Sequence, residues 1–269
     1  MNKDQLGLIA GNGKFPILFA RKARQKQLRV IAAGIRGDTS IGLRPFVDRL
    51  AFFHVGQLSE LFAYFKAHGV RKVLMAGQVN PENLFDPRVQ FDEEFTRIFN
   101  AIKDRRADTI FTAIAEKLHE KGMELVDSTF LLKDSMAPRG TLTRRGPSVT
   151  ELEDIEFGRT IAKMMGGIDV GQTVVVKEKA IVAIEAMEGT DKTIARGGRI
   201  TRGKAVIIKM SKPNQDLRFD VPVIGPRTLR AIIHAKASCL AIEAQKTIII
   251  NKQKCLQMAN RHDICIVAV

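Results

Sequence analysis

Cysteine is scarce in this 269-residue sequence: Cys239, Cys255 and Cys265 are odd in number and widely spaced. That argues against a disulfide framework, and Cys239 and Cys265 fall in apolar runs where buried free thiols are expected. Histidine offers no zinc site, because His54, His68, His119, His234 and His262 are scattered without paired ligand spacing. No apolar stretch is long enough to span a bilayer, and the amino-terminal residues lack the three-part pattern of a signal peptide. Neither a P-loop nor a Gly-x-Ser-x-Gly elbow occurs, which disfavours a P-loop ATPase and a serine esterase. Low-complexity tracts are missing too, so disorder is not expected. These absences predict a reduced, cytoplasmic, globular protein.

What is present is apolar content and positive charge. Hydrophobic residues make up 45% of the chain, enough for a sizeable core in one large domain or two ordinary ones. The net charge is +14, with +6 in residues 1–133 and +8 in the remainder, so the excess is not a single tail. A field of this sign favours anionic partners such as phosphorylated metabolites, anionic lipid head groups or nucleic acid. No acidic residue occurs between Gln5 and Gly37, while Arg21, Lys22, Arg24, Lys26 and Arg29 crowd one predicted helix and the residues just after it. That helix reads as a solvated face or as a surface resting against anionic lipid.

The first half alternates strand-like runs (Leu6 to Ala10, Val30 to Ala33, Leu50 to Phe53, Lys72 to Ala76) with amphipathic segments (Phe15 to Gln27, Ser59 to His68). Such alternation predicts a parallel sheet with crossover helices. The second half mixes short strand-like runs with helices, one of them opened by a capping box at Ser148 and Glu151. The expected fold is therefore α/β with two α/β domains. Residues 1–133 form an N-terminal, Rossmann-like parallel sheet, and residues 134–269 form a C-terminal mixed-sheet domain. Ala137-Pro138-Arg139-Gly140 is the candidate linker.

Four polar segments are candidates for chemistry. The turn Gly11-Asn12-Gly13, followed by Lys14 and Phe15, joins a strand to a helix, an arrangement that can bring backbone N–H groups to a phosphate or can be simply a tight turn. NAD binding is disfavoured, because Pro16 stands where a third glycine is needed and the second strand, read as ending Ala32-Ala33-Gly34, lacks a ribose-binding acid. Thr143-Arg144-Arg145, just before a helix, reads as a bidentate phosphate clamp or as a basic linker. Glu185 to Asp191 closes a strand. Its carboxylates Glu188 and Asp191 are candidate Mg²⁺ ligands, and Asp191 reads equally as a helix N-cap. In Gln215 to Asp220, an extended chain would put Asp216, Arg218 and Asp220 on one face, fit for phosphoryl chemistry or for a surface ladder of charges.

Together these segments resemble the LpxI-type UDP-2,3-diacylglucosamine pyrophosphatases of lipid A biosynthesis. The resemblance spans nearly the whole chain. It rests on Leu8 to Pro16, Met75-Ala76-Gly77-Gln78-Val79, Leu142 to Ser148, Asp169 to Gln172, Glu185 to Asp191 and Lys212 to Pro226, in that order. It implies a metal-dependent hydrolase, with Mg²⁺ or a similar cation, that splits UDP-2,3-diacylglucosamine into UMP and 2,3-diacylglucosamine 1-phosphate (lipid X), by water attack at the β-phosphorus. It implies two domains with substrate between them and an essential aspartate in the Gln-Asp-x-Arg-x-Asp segment, either Asp216 or Asp220. Together with the residues' own chemistry, it gives Asp216, Arg218 and Asp220 catalytic roles. Substrate contacts are expected from Gly11, Asn12, Gly13, Lys14, Phe15, Gly77, Gln78, Thr143, Arg144, Arg145, Gln172, Thr190, Lys209 and Lys212. Metal ligation is expected from Glu188, Asp191, Asp216 and Asp220. The expected partners are membrane-associated UDP-diacylglucosamine and the anionic inner-membrane surface, with no nucleic acid; a homo-oligomer is left open, and the expected location is cytoplasmic, peripheral on the inner membrane. The alternatives are another nucleotide-dependent enzyme or a basic, non-enzymatic protein that binds lipid or nucleic acid.

Overall fold

Apolar runs in the first half become strands buried on both faces, as a parallel sheet requires. The computed structural model describes residues 5–269 apart from 81, 82, 84, 85 and 88. Contacts divide the chain into two units: residues 1–132 with Asp216–Asp220, and residues 133–215 with 221–269.

In the first unit, β1 (Gln5–Ala10), β2 (Arg29–Ile35), β3 (Arg49–Phe53), β4 (Lys72–Ala76) and β5 (Glu124–Leu125) form one sheet in the order β3-β2-β1-β4-β5. Every pairing is parallel. Helix α1 (Phe15–Gln25) follows β1, α2 (Leu58–Ala67) follows β3, and α3 (Glu93–Ala101) and α4 (Ala107–Glu120) lie between β4 and β5. Ile31, Ala33, Val73 and Met75 of the sheet bury against Phe62, Phe65, Phe95, Phe99, Ile114 and Leu118 of α2–α4. Residues of the opposite parity, Leu8, Val30, Ala32 and Leu74, are buried as well. The strand order reverses between β1 and β4, because the chain moves outward from β1 through β2 to β3 and then restarts on the other side. Open α/β sheets bind ligands at such a switch point, outside the carboxyl ends of the strands.

The second unit has a mixed sheet in the order β6-β13-β11-β9-β7-β8. Its strands are β6 (Gly140–Thr141), β7 (Thr173–Lys177), β8 (Ala180–Ile184), β9 (Val206–Lys209), β11 (Cys239–Ile242) and β13 (Cys265–Ala268). The core β9-β11-β13 is parallel, with antiparallel strands added at both edges. A separate parallel pair joins β10 (Val223–Ile224) to β12 (Ile248–Ile249). Helices α5 (Val149–Gly167), α6 (Thr190–Thr201), α7 (Pro226–His234) and α8 (Lys252–Arg261) complete the unit. The α/β class and the parallel and mixed sheets follow the sequence reading.

Local details depart from it. Ala137, read as part of a linker, is fully buried, and its backbone N–H and C=O bond to Thr247 and Gln245. The capping box forms as expected: the Ser148 hydroxyl accepts from the Glu151 N–H, and Glu151 accepts from the Ser148 N–H. Asp191 does not cap α6; the N-cap is Gly189, and Asp191 lies in the first turn.

Candidate functional site

Three loops converge at the carboxyl ends of β1, β4 and β5 in the first unit. The turn after β1 is tied to the loop after β4 backbone to backbone: Gly11 N–H donates to Ala76 O at 2.8 Å and Asn12 N–H to Gln78 O at 2.7 Å. Glycine is required on both sides. A Cβ on Gly11 would lie 2.5 Å from Gln78 O, and one on Gly77, whose φ is +87°, would lie 2.4 Å from Asn12 O. The glycines at these two positions therefore serve the approach of one loop to the other. Gly13 and Lys14 are exposed at the opening of α1, with Lys14 as N-cap and Pro16 in its first turn, while Phe15 is buried.

The third participant comes from far along the chain. Ser128, three residues past β5 and fully buried, donates its N–H to Leu217 O at 3.1 Å. Its hydroxyl lies 2.5 Å from Met75 O, at the end of β4, and 2.7 Å from Arg218 O, so its one proton is shared between two carbonyls. Phe219 lies tilted against Phe111, ring centroids 5.4 Å apart, and packs against the core of this unit. The acidic segment Asp216–Asp220 is thus fastened beside Gly77 and Gln78.

Its conformation corrects the extended reading. The Asp220 N–H donates to Asp216 O at 2.9 Å, so the segment is a turn and the two aspartates stand four residues apart on it. The Asp216 carboxylate accepts the Arg218 backbone N–H at 3.0 Å and a two-point contact from its guanidinium, Nε at 3.0 Å and Nη2 at 2.6 Å. These bonds from Arg218 hold the Asp216 carboxyl below its ordinary range. Asp216 closes the turn, and Arg218 is its partner.

A second polar cluster lies in the second unit at the carboxyl end of β9. Lys209, buried, donates to Thr190 Oγ1 at 2.9 Å and lies 3.7 Å from Glu185 Oε2, while Thr190 donates to Glu185 Oε1 at 2.8 Å. Gln172 N–H reaches Glu185 at 3.4 Å. Lys212 forms a buried ion pair with Asp169 at 2.5 Å. Glu188 accepts from Ala186 N–H and Thr193 Oγ1 and pairs with Arg196 at 2.6 Å; Asp191 is 3.5 Å from Arg227. Among the described residues, no three His, Cys, Asp or Glu side chains come together as metal ligands.

The Thr-Arg-Arg segment also differs from expectation. Thr143 is buried, donating to Arg145 O and accepting from Ile266 N–H, both at 2.9 Å. Arg145 spends all five guanidinium donors inside the unit: Nε on Asp263 O, Nη1 on Gly146 O and Glu151, and Nη2 on Glu151 and Ser238 O. Arg145 is therefore a structural clamp on the start of α5 and has no donor left for phosphate; Arg144 is the exposed arginine.

Burial raises the Glu151 carboxyl, but hydrogen bonds from Arg145, Ser238 and Ser148 outweigh it and hold the group below its ordinary value. A depressed folded-state value means stability present above the unfolded value of 4.5 and lost as pH falls through the folded value. Glu151→Gln is expected to cost about 1–3 kcal/mol at neutral pH. Urea midpoints of variant and parent should converge as the pH is lowered from 4.5 through the folded value. A gap that stays constant across that range would remove the carboxylate from the explanation.

Sequence comparison fits both halves. The LpxI N-terminal domain family matches residues 5–135 and the LpxI C-terminal domain family matches residues 138–267. A curated relative from Caulobacter vibrioides, named UDP-2,3-diacylglucosamine pyrophosphatase LpxI, is 26% identical over 268 residues, covering 95% of this chain and 94% of the relative. Among solved structures, the biotin carboxylase domain of Hydrogenobacter thermophilus 2-oxoglutarate carboxylase aligns at 11% identity with a TM-score of 0.30, over 73% of this chain and 40% of that one. The biotin carboxylase subunit of a pyruvate carboxylase aligns at 12% identity with a TM-score of 0.26, over 73% of this chain and 41% of that one. Likeness at that level carries no functional inference.

Proposed function

This chain belongs to the LpxI family, and on that ground we propose that it hydrolyses the pyrophosphate of UDP-2,3-diacylglucosamine to UMP and 2,3-diacylglucosamine 1-phosphate. The observation that carries the reading is the fastening of Asp216–Asp220 to the end of β4, beside the interlocked Gly11 and Gly77 loops. This brings a carboxylate-bearing turn to the switch point, where α/β sheets bind phosphorylated ligands. The exposed residues Gly13 and Lys14, the positive end of α1 and the Lys14 ammonium suit the anionic phosphates. Asn12 and Gln78, paired in an isolated antiparallel bridge, flank the same turn.

We assign the orienting and deprotonation of water to Asp220; Asp216 is bonded to Arg218. Arg218 fixes the turn through that pair. Mg²⁺ is commonly held by one or two carboxylates together with phosphate oxygens and water. Asp220 supplies one such carboxylate, so a divalent ion held there, with phosphate oxygens and water completing its shell, fits that donor number. When bound, it would neutralise pyrophosphate charge and make water more acidic. In the second unit, Gln172, Thr190 and Lys209 are the proposed substrate contacts, with Arg144 as an exposed cation. Lys212, paired with Asp169, holds the strand end that carries Lys209.

A diacylated substrate resides in a membrane, and no described helix is long and apolar enough to cross one. Peripheral attachment to an anionic surface through the basic residues is the accompanying proposal. Purified chain with UDP-2,3-diacylglucosamine in detergent or vesicles is expected to release UMP with Mg²⁺, to stop with EDTA and to resume on adding excess Mg²⁺. No UMP under any condition refutes the activity; undiminished release in EDTA refutes the metal requirement alone.

A further inference from the structure

We propose that Asp38 is the acceptor for the ribose hydroxyls of the nucleotide, a specificity residue at the carboxyl end of β2. The inference rests on the reading of the first unit as the nucleotide side of the substrate. An acid at the end of the second strand is absent from the sequence reading, which stops that strand at Gly34. In the structure β2 runs to Ile35, and the chain folds back at once, with Asp38 N–H on Ile35 O at 3.1 Å and Thr39 N–H on the same oxygen at 2.9 Å. The Thr39 hydroxyl donates to Ala10 O, the last residue of β1, and accepts from the Ile35 N–H. This hinge pins Asp38 beside the first glycine turn.

The carboxylate faces that turn. Asp38 Oδ2 accepts the backbone N–H of Asn80 at 3.1 Å, and the Asn12 side chain also hydrogen-bonds the carboxylate. Asp38 therefore connects the loop after β1 with the loop after β4 across the switch point. A carboxylate offers about four lone-pair sites, and two such bonds leave capacity for a vicinal diol. In dinucleotide-binding sheets the acid at this topological position accepts ribose hydroxyls. Burial pushes the Asp38 carboxyl above the usual aspartate range, against the bonds from Asn80 and Asn12, and hydroxyl donors would offset the lost hydration.

Charge supplies a direction for the ligand. Asp38 is the first acidic residue after a stretch without any, from Gln5 to Gly37. Its negative charge repels phosphate, so the uncharged ribose belongs at Asp38 and the phosphates at Gly13, Lys14 and the positive end of α1. The pyrophosphate then points away from β2. That order follows from electrostatics alone.

The test compares UMP with 2′,3′-dideoxy-UMP by calorimetry on the full chain, for the parent and for Asp38→Asn. The parent is expected to bind UMP roughly tenfold or more tightly than the dideoxy analogue, the size of a hydrogen bond to a charged group. Asp38→Asn, which preserves shape and an acceptor for Asn80, is expected to bind both equally and at the weaker level. Equal binding of the two ligands by the parent overturns the proposal, whatever the variant does. Retention of the parent's preference in a folded Asp38→Asn overturns it as well. If neither ligand binds while the hydrolysis assay releases UMP, the placement of the nucleotide in the first unit falls and the proposed activity stands.

Discussion

Asp220→Ala is expected to reduce kcat for UMP release by about 10²–10⁴-fold, the usual contribution of a positioned proton-transfer group, with KM little changed. The Asp220 backbone N–H closes the turn onto Asp216 O, a contact that alanine retains. The change therefore removes the carboxylate and keeps the backbone bond that closes the turn. Asp216→Ala differs. It deletes the acceptor of four bonds from Arg218 and releases that side chain. Its loss of turnover should come with a rise in KM and a modest fall in thermal midpoint. The pair is partly exposed, so that fall reflects about 1 kcal/mol or less. Steady-state kinetics and thermal melts on the two variants separate the roles. If Asp220→Ala turns over within threefold of the parent while Asp216→Ala is dead, the assignments must be exchanged.

The second large effect concerns stability. Gly77→Ala is expected to cost the first unit about 2–5 kcal/mol, combining the left-handed backbone penalty with overpacking. The new Cβ would sit 2.4 Å from Asn12 O, and a backbone oxygen cannot swing aside as a flexible side chain would. Gly13→Ala is the control. Its φ is +88°, but the Cβ would meet open space, so only the backbone term of about 1–2 kcal/mol applies. Urea unfolding followed by amide exchange in β1 and β4 measures both. Equal losses for the two variants would show that the interlock of the Gly11 and Gly77 loops contributes little.

The sheets were largely readable because burial on both faces leaves continuous apolar runs such as Leu6 to Ala10 and Cys239 to Ile242, preceded by Gln5 and Ser238 and followed by Gly11 and Glu243. The capping box at Ser148 was readable because its two bonds are local. The acidic segment misled for a physical reason. Leu217, Phe219 and Val221 alternate with charged residues and mimic a strand, yet the turn is held by Ser128, which lies about ninety positions earlier and carries no pattern of its own. Arg145 misled similarly, since paired arginines before a helix resemble a phosphate clamp until Glu151, six residues on, is seen to occupy the guanidinium. Asp38 is not legible as a strand-end acid, because the tight turn at Ile35 brings a residue three positions past β2 back towards β1.

The five residues Asp216–Asp220 are encoded within the second half yet belong physically to the first. The genetic boundary of the halves and the material boundary therefore do not coincide. A chimera joining residues 1–132 of one family member to 133–269 of another would seat a foreign turn on Ser128 and Phe111. Its failure would say nothing about incompatibility of the two halves. Moving residues 216–220 together with the N-terminal donor restores the native seam, and the unit exchanged between relatives is then a domain plus a distant pentapeptide.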